Sequence, residues 1–308
     1  MNLDRRGFLG LLAGAGFCAA WEGCSSLAPQ RGPKLALNAS TLRGYGLGLY
    51  DQVKAALAGG FTGYEPWLKD VHAAKADGTF AKAVALARAG GLTFVNGIAF
   101  GQWASPDVSV RAAGLEETKR DMAALAEMGC PYVAASMFGL QKPGSPIQPQ
   151  EAIAERFLKV CALGDEMGVR PLLEYWGHSV NLNRPEDALT VLKLVGRADA
   201  ALLADVYHTY RGGGDFATFR RFTAATLPVL HVNDYPATPA REKLVDADRV
   251  WPGDGRAPWG EIFANLRAGG ADPWLSIEVF NPAYWKSTPE QTAAAGYAKL
   301  AALVKAHA

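Results

Sequence analysis

VRPLLEYWGHSVNLNRPEDALTVLKLVGRADAALLAD, residues 169–205, holds one complete strand–helix–strand unit. Val169–Glu174 is a short apolar run closed by a carboxylate. Pro185–Val195 follows with helical spacing, and Ala200–Asp205 is a second apolar run, again closed by a carboxylate. Two further runs repeat the arrangement downstream: Leu227–His231 (LPVLH) and Pro273–Glu278 (PWLSIE). A charged or imidazole side chain is costly at the end of a buried strand unless something compensates it. Four such endings, one per strand, imply a shared compensator. Three carboxylates and one imidazole, Glu174, Asp205, Glu278 and His231, match the donor set of a hard-to-borderline divalent metal.

Outward from this unit the alternation continues in both directions. Upstream strands are expected at Lys34–Ser40, Phe61–Glu65, Leu92–Ile98 and Pro131–Ser136. The helices between them are Leu49–Ala58, Phe80–Ala89, Ser109–Met128 and Gln150–Met167, the first two stopped by Gly59-Gly60 and Gly90-Gly91. Downstream, Phe216–Ala225 and Trp259–Ala268 separate the strands, and a helix at Glu290–Ala306 closes the chain. Eight strand–helix units without an obvious linker argue for an α/β protein with a single (β/α)8 TIM barrel. In that barrel the active site lies at the C-terminal strand ends, where the four residues fall. A doubly wound sheet needs a Gly-rich phosphate loop after its first strand, and Thr41-Leu42-Arg43-Gly44 is not one.

The bulk numbers agree. With 308 residues and 49% hydrophobic composition, the chain can bury one barrel of roughly 250 residues behind a leader. A net charge of +1 provides no field for nucleic acid or an acidic surface. Cys130 and Cys161 are expected to be buried free thiols, although a disulfide is compatible with export.

Residues 1–30 read as an export signal and residues 31–308 as the barrel. Arg5-Arg6-Gly7-Phe8-Leu9 precedes an apolar Gly/Ala-rich run to Ala20, too short for a membrane span. Paired arginines in this setting resemble a twin-arginine signal, and an ordinary secretory signal is the alternative. Cys24, after Trp21-Glu22-Gly23, is a candidate lipid attachment site. The other possibility is cleavage near Ala19-Ala20 or Ala28 and release. The expected location is therefore the periplasm, free or lipid-anchored, and no further membrane contact is expected.

Six stretches together resemble the xylose isomerase-like superfamily of sugar isomerases and epimerases. They are Gly60-Phe61-Thr62-Gly63-Tyr64-Glu65, Leu172-Leu173-Glu174, Asp205-Val206-Tyr207-His208, His231-Val232-Asn233-Asp234, Arg249-Val250-Trp251-Pro252-Gly253-Asp254-Gly255 and Leu275-Ser276-Ile277-Glu278. The resemblance implies that Glu174, Asp205, His231 and Glu278 hold one divalent metal, Mn²⁺ foremost, with Co²⁺, Mg²⁺ or Zn²⁺ as alternatives. It implies that Glu174 and Glu278 are the acid/base pair, and that His208 and Arg249 contact a small sugar or keto-sugar. Tyr175-Trp176-Gly177-His178 matches no substrate signature of the family. Trp67, Trp103, Trp176 and Trp285 follow strand ends and are candidates for lining a sugar pocket or for the core. His178 is open as ligand, substrate contact or surface group. Asp234 reads as structural. Asp205 on its own is also a good helix cap, His208 a polar gap-filler and Arg249 a salt-bridge partner.

A carboxylate-held divalent metal polarises a sugar carbonyl and stabilises the enediolate formed when the neighbouring C–H loses its proton. Glutamates supply and accept that proton. Two bases on opposite faces of the substrate epimerise; transfer along one face isomerises. An exported 3-keto-glycoside lyase uses the same opening step, and a non-catalytic carbohydrate-binding protein is a third reading. A DNA-repair endonuclease is disfavoured, because such a multi-metal site is histidine-rich and the chain has five histidines.

Overall fold

The computed structural model describes residues 34–142 and 144–307. The expected export signal lies outside them. Its elements are β1 (Leu35–Asn38), α1 (Leu49–Ala58), β2 (Gly63–Glu65), α2 (Leu68–Asp77), α3 (Phe80–Ala89), β3 (Thr93–Phe94), β4 (Gly97–Ile98), α4 (Val108–Met128) and β5 (Tyr132–Ser136). The second half comprises α5 (Gln150–Met167), β6 (Arg170–Glu174), α6 (Pro185–Val195), β7 (Ala201–Asp205), α7 (Val206–Arg211), β8 (Val229–Val232), α8 (Trp259–Gly269), β9 (Trp274–Ile277) and α9 (Pro289–His307).

The strands lie in the order β3-β2-β1-β9-β8-β7-β6-β5-β4, and every pair is parallel. β3 and β4 are two pieces of one stave, interrupted at Val95-Asn96. β3 pairs with β2, β4 pairs with β5, and a parallel bridge from Trp67 to Ile98 ties the second piece back to the chain after β2. The nine strands thus form the eight staves of a nearly closed TIM barrel.

Strand side chains alternate between faces, and the alternation separates two cores. Inside the barrel, Ile98, Ala134, Leu172, Ala201, Leu203 and Val229 form one buried cluster. Leu173, Leu202, Ala204 and Leu230 face outward into the larger core shared with the helices. Full burial of a Leu or Val side chain is worth about 1.5–3 kcal/mol, so this pattern fixes the strand register. A one-residue slip would exchange the two faces. Glu174 has the parity of Leu172, Asp205 that of Leu203, and His231 that of Val229. The inward periodicity therefore carries all three into the barrel mouth.

One expectation needs correction. The segment beginning at Phe216 is a 3-10 helix, Phe216–Arg221, and not a longer α-helix through Ala225. Phe216, Phe219 and Phe222 are buried at a spacing of three, which suits a helix with three residues per turn. The α-helix of this unit starts instead directly after β7. There the Asp205 carboxylate accepts from His208 N at 2.7 Å and caps α7. The weakly amphipathic α2 was not anticipated; it buries Leu68, Val71 and Ala74 along one face. Cys130 and Cys161 are free and buried, as expected. No helix among the described residues is long and apolar enough to cross a membrane.

Candidate active site

Glu174 ends β6, Asp205 ends β7, His231 lies in β8 and Glu278 directly follows β9. All four are buried, His231 and Asp205 completely. The imidazole of His231 is the hub. Its Nδ1 stands 3.3 Å from Glu278 Oε2, 3.7 Å from Asp205 Oδ2 and 3.7 Å from Glu174 Oε1. None of these is aligned as a hydrogen bond, so Nδ1 is a buried nitrogen without a partner among the described residues. Asp205, His231 and Glu278 form the tightest group, offering one ligand atom each within 4.8 Å of one another. Glu174 sits slightly apart, its other oxygen accepting a short hydrogen bond from Ser136 Oγ.

The electrostatics separate the two glutamates. Burial pushes the Glu174 carboxyl up to about 7, against the pull of His231 and with a push from Glu278. Burial acts on Glu278 in the same direction, but His231 and Arg249 overcome it and hold its carboxyl down at about 2. Burial also raises Asp205, opposed by Arg249. His231 is raised well above its ordinary value: burial would lower it, but Glu278 and Glu65 outweigh that.

Arg249 is buried against this cluster. Its Nη1 donates to Asp205 Oδ2 (3.1 Å) and Glu278 Oε2 (2.8 Å), and its Nη2 to Asp246 Oδ1 (2.8 Å). Nη2 also lies 3.1 Å from His208 Nε2. A guanidinium only donates, so His208 Nε2 accepts and the ring proton resides on Nδ1. That Nδ1–H is buried and has no partner among the described residues. Burial first, then the Arg249 charge, hold His208 well below its usual value and hence neutral.

A cavity opens above these groups. Ser40, Glu174, Glu278, His208, Arg249 and Asp246 form its polar side, while Trp67, Ile98, Phe100, Trp176, His178 and Phe280 line the rest. Trp67, Phe100, Phe138 and Trp176 follow one another edge to face, with ring centroids 5.1–5.3 Å apart. Of the candidate contacts, His208, Arg249, Trp67, Trp176 and His178 all border the cavity. Trp103 does not. It is buried against Phe157 of α5, and the neighbouring Ala104 N donates to Phe138 O. Phe100 occupies the wall instead. Trp285 is also outside the cavity, its Nε1 donating to Thr41 O. Asp234 is structural: it accepts from the backbone of Tyr235, Gly253 and Ala257 and from Trp259 Nε1, pinning the segment after Arg249.

Sequence reasoning missed the other half of the barrel mouth. Asn38, Glu65, Asn96 and Ser136 lie at or beside the ends of the first four staves and are buried. Asn38 Nδ2 donates to Glu65 Oε2 at 3.2 Å, and Asn96 Nδ2 to Glu65 Oε1 at 2.8 Å. The signal was available. Each of the eight staves carries a buried polar residue at or near its end, with Ile98 following Asn96 in the third stave, and the amides, the hydroxyl and Glu65 among them look ordinary in a sequence.

The profile of the xylose isomerase-like TIM barrel family matches residues 53–303. Among curated proteins, the inosose isomerase of Bacillus velezensis is 27% identical over 179 residues, which is 58% of this chain and 64% of that protein. The chain thus matches a little under two thirds of that relative's length. Among solved structures, the IOLI protein with a bound zinc atom superposes with a TM-score of 0.81 at 20% identity, over 89% of this chain and 99% of that one. A D-psicose 3-epimerase crystallised in the presence of D-fructose superposes with a TM-score of 0.69 at 16% identity, over 89% and 99%. With a family profile spanning most of its length and the barrel to match, the chain belongs to the xylose isomerase-like TIM barrel family.

Proposed function

We propose that this protein is a divalent-metal-dependent isomerase or epimerase of a small sugar or keto-sugar. The observation that carries the reading is the unpartnered His231 Nδ1 facing three carboxylates. Ligand atoms around one ion at about 2.0–2.2 Å stand roughly 3–3.6 Å apart, close to the 3.3–3.7 Å separations from Nδ1. Asp205, His231 and Glu278 would hold the ion, with Glu174 as the fourth candidate. The oxygen-rich donor set favours Mn²⁺ among the divalent metals, and Zn²⁺, Co²⁺ and Mg²⁺ also suit it. Inosose isomerase as a relative and an epimerase as a structural neighbour support this class.

When bound, the metal supplies Lewis-acid polarisation of a substrate carbonyl and offsets the clustered negative charge. The remaining chemistry belongs to the side chains. Two carboxyls pushed apart in pKa take different protonation roles. Glu174, whose carboxyl burial raises in the metal-free protein, is placed to accept a proton from the carbon beside the carbonyl and to return it. Glu278 stays anionic under the hold of His231 and Arg249. His208 offers Nδ1–H to a substrate oxygen, and Arg249 fixes His208, Asp205 and Glu278 in place. Trp67, Trp176 and Phe280 cover the apolar face of the sugar and exclude water.

Residues 1–30 we assign to export, with the protein periplasmic or lipid-anchored through Cys24. The decisive experiment incubates metal-loaded protein in D₂O with inososes, free ketoses and 3-keto-glucosides. Deuterium at the carbon beside the carbonyl without release of an aglycone is expected. Aglycone release would move the assignment to a lyase. Neither exchange nor release, with measured sugar binding, would make it a carbohydrate-binding protein.

A further inference from the structure

Glu65 closes β2 and is completely buried, yet it stands apart from the carboxylates around His231 Nδ1. It faces the other ring nitrogen. Its Oε2 lies 3.1 Å and its Oε1 3.3 Å from His231 Nε2. The amides of Asn38 and Asn96 donate to the same two oxygens, at 3.2 and 2.8 Å. The orientation of Asn38 is settled, because its Oδ1 accepts from Ser40 N at 2.9 Å and leaves only the NH₂ to face Glu65. Asn38 Nδ2 also stands 3.4 Å from His231 Nε2, but both Glu65 oxygens lie nearer to that nitrogen. A carboxylate is an acceptor only, so His231 Nε2 must carry a hydrogen. A coordinating imidazole must be neutral; with the hydrogen kept on Nε2, the proton given up is the one on Nδ1, and the lone pair is then there.

We infer that Glu65 is a positioning residue: locked by Asn38 and Asn96, it keeps the hydrogen on His231 Nε2 and so presents Nδ1 as the coordinating atom for a cation shared with Asp205 and Glu278. This rests on the metal reading proposed above. It gives a role to the half of the barrel that supplies no ligand. Asn38, Glu65 and Asn96 come from the first three staves and act on the metal through one imidazole. The break between β3 and β4 falls at Val95-Asn96, where the Asn96 amide reaches Glu65. Partners of this kind typically change metal affinity by about 10- to 100-fold when removed.

The test uses Zn²⁺ alone as probe. E65Q keeps the volume but removes the charge and places an NH₂ among donors. The Zn²⁺ dissociation constant, measured by competition with a chromophoric chelator, is expected to rise about 10- to 100-fold in E65Q, while circular dichroism shows the same fold. A purely structural role would lower the melting temperature and leave the affinity unchanged. A second measurement needs no variant. In Zn²⁺-loaded wild-type protein with ¹⁵N-labelled histidine, long-range ¹H–¹⁵N correlations are expected to show His231 with Nδ1 coordinated and Nε2 protonated. Coordination through Nε2 overturns the inference, as does an E65Q variant that binds Zn²⁺ within twofold of wild type. If wild-type protein binds neither Zn²⁺ nor Mn²⁺, the metal reading falls and this inference with it. If it binds through Nδ1 and E65Q binds equally well, the inference alone falls.

Discussion

Glu174→Gln should stabilise the metal-free protein while removing its activity. The carboxyl is fully buried, and its environment raises it from 4.5 to about 7. A carboxyl raised on folding resists ionisation in the folded state, so the unfolded chain sheds its proton first as pH rises. Stability is fully present below about 4.5, falls between 4.5 and about 7, and is flat above. At about 1.4 kcal/mol per pH unit, ionised Glu174 costs about 3 kcal/mol at pH 8. Gln keeps the size and an oxygen for the Ser136 hydroxyl, but it never ionises. Chelator-treated E174Q should therefore exceed wild type by up to about 3 kcal/mol at pH 8 and by less than about 1 kcal/mol at pH 5. For a domain of this size the gain at pH 8 is roughly 6–12 °C in melting temperature. Urea unfolding at the two pH values, with equal denaturant slopes, measures the difference. A variant no more stable than wild type at pH 8, or a difference independent of pH, would refute the account of Glu174 as a carboxylate held under burial strain. Turnover of E174Q should drop by about 10²–10⁴-fold, the range for loss of a general base.

Removal of metal by chelation is expected to abolish activity and lower the melting temperature. A metal at a thousandfold excess over its dissociation constant adds about 4 kcal/mol, and elemental analysis of protein from its native host should find a divalent ion. Gly63→Ala should destabilise by about 1–3 kcal/mol through overpacking, because a Cβ there would lie 2.8 Å from both Ala36 Cβ and the Trp274 ring; an unchanged unfolding midpoint would show that the barrel floor yields freely. Replacement of Arg5 and Arg6 by lysine keeps the charge and should leave the precursor in the cytoplasm, as cell fractionation will show; normal export would discard the twin-arginine assignment and leave the barrel unaffected.

Strand–helix alternation, and with it the barrel, was legible because buried strands read as short apolar runs and glycines stop the helices between them. Glu174, Asp205, His231 and Glu278 stood out because charge at the end of an apolar run is conspicuous. Asn38, Glu65 and Asn96 did not. Amides at strand ends are common, and Glu65 is followed by Pro66 and Trp67 in what reads as an ordinary loop. Trp103 and Trp176 look equivalent in the sequence, each a few residues past a strand. One turns into the helix layer against Phe157, and the other lines the cavity.

What the sequence determined by itself is whatever depends on neighbours along the chain: periodicity, capping and the polar residue that ends each run. What only the tertiary structure decided depends on neighbours across the barrel. Glu174 and Glu278 are the same residue type in similar local settings, yet one carboxyl is raised to about 7 and the other lowered to about 2. The difference comes from His231 and Arg249 together: His231 Nδ1 stands 3.3 Å from Glu278 and Arg249 Nη1 reaches it at 2.8 Å, while Glu174 is 3.7 Å from Nδ1 and accepts a neutral serine hydroxyl. Coulomb energy depends on distance and on the dielectric between charges, and neither is set until the staves close and place residues from distant parts of the chain around one imidazole.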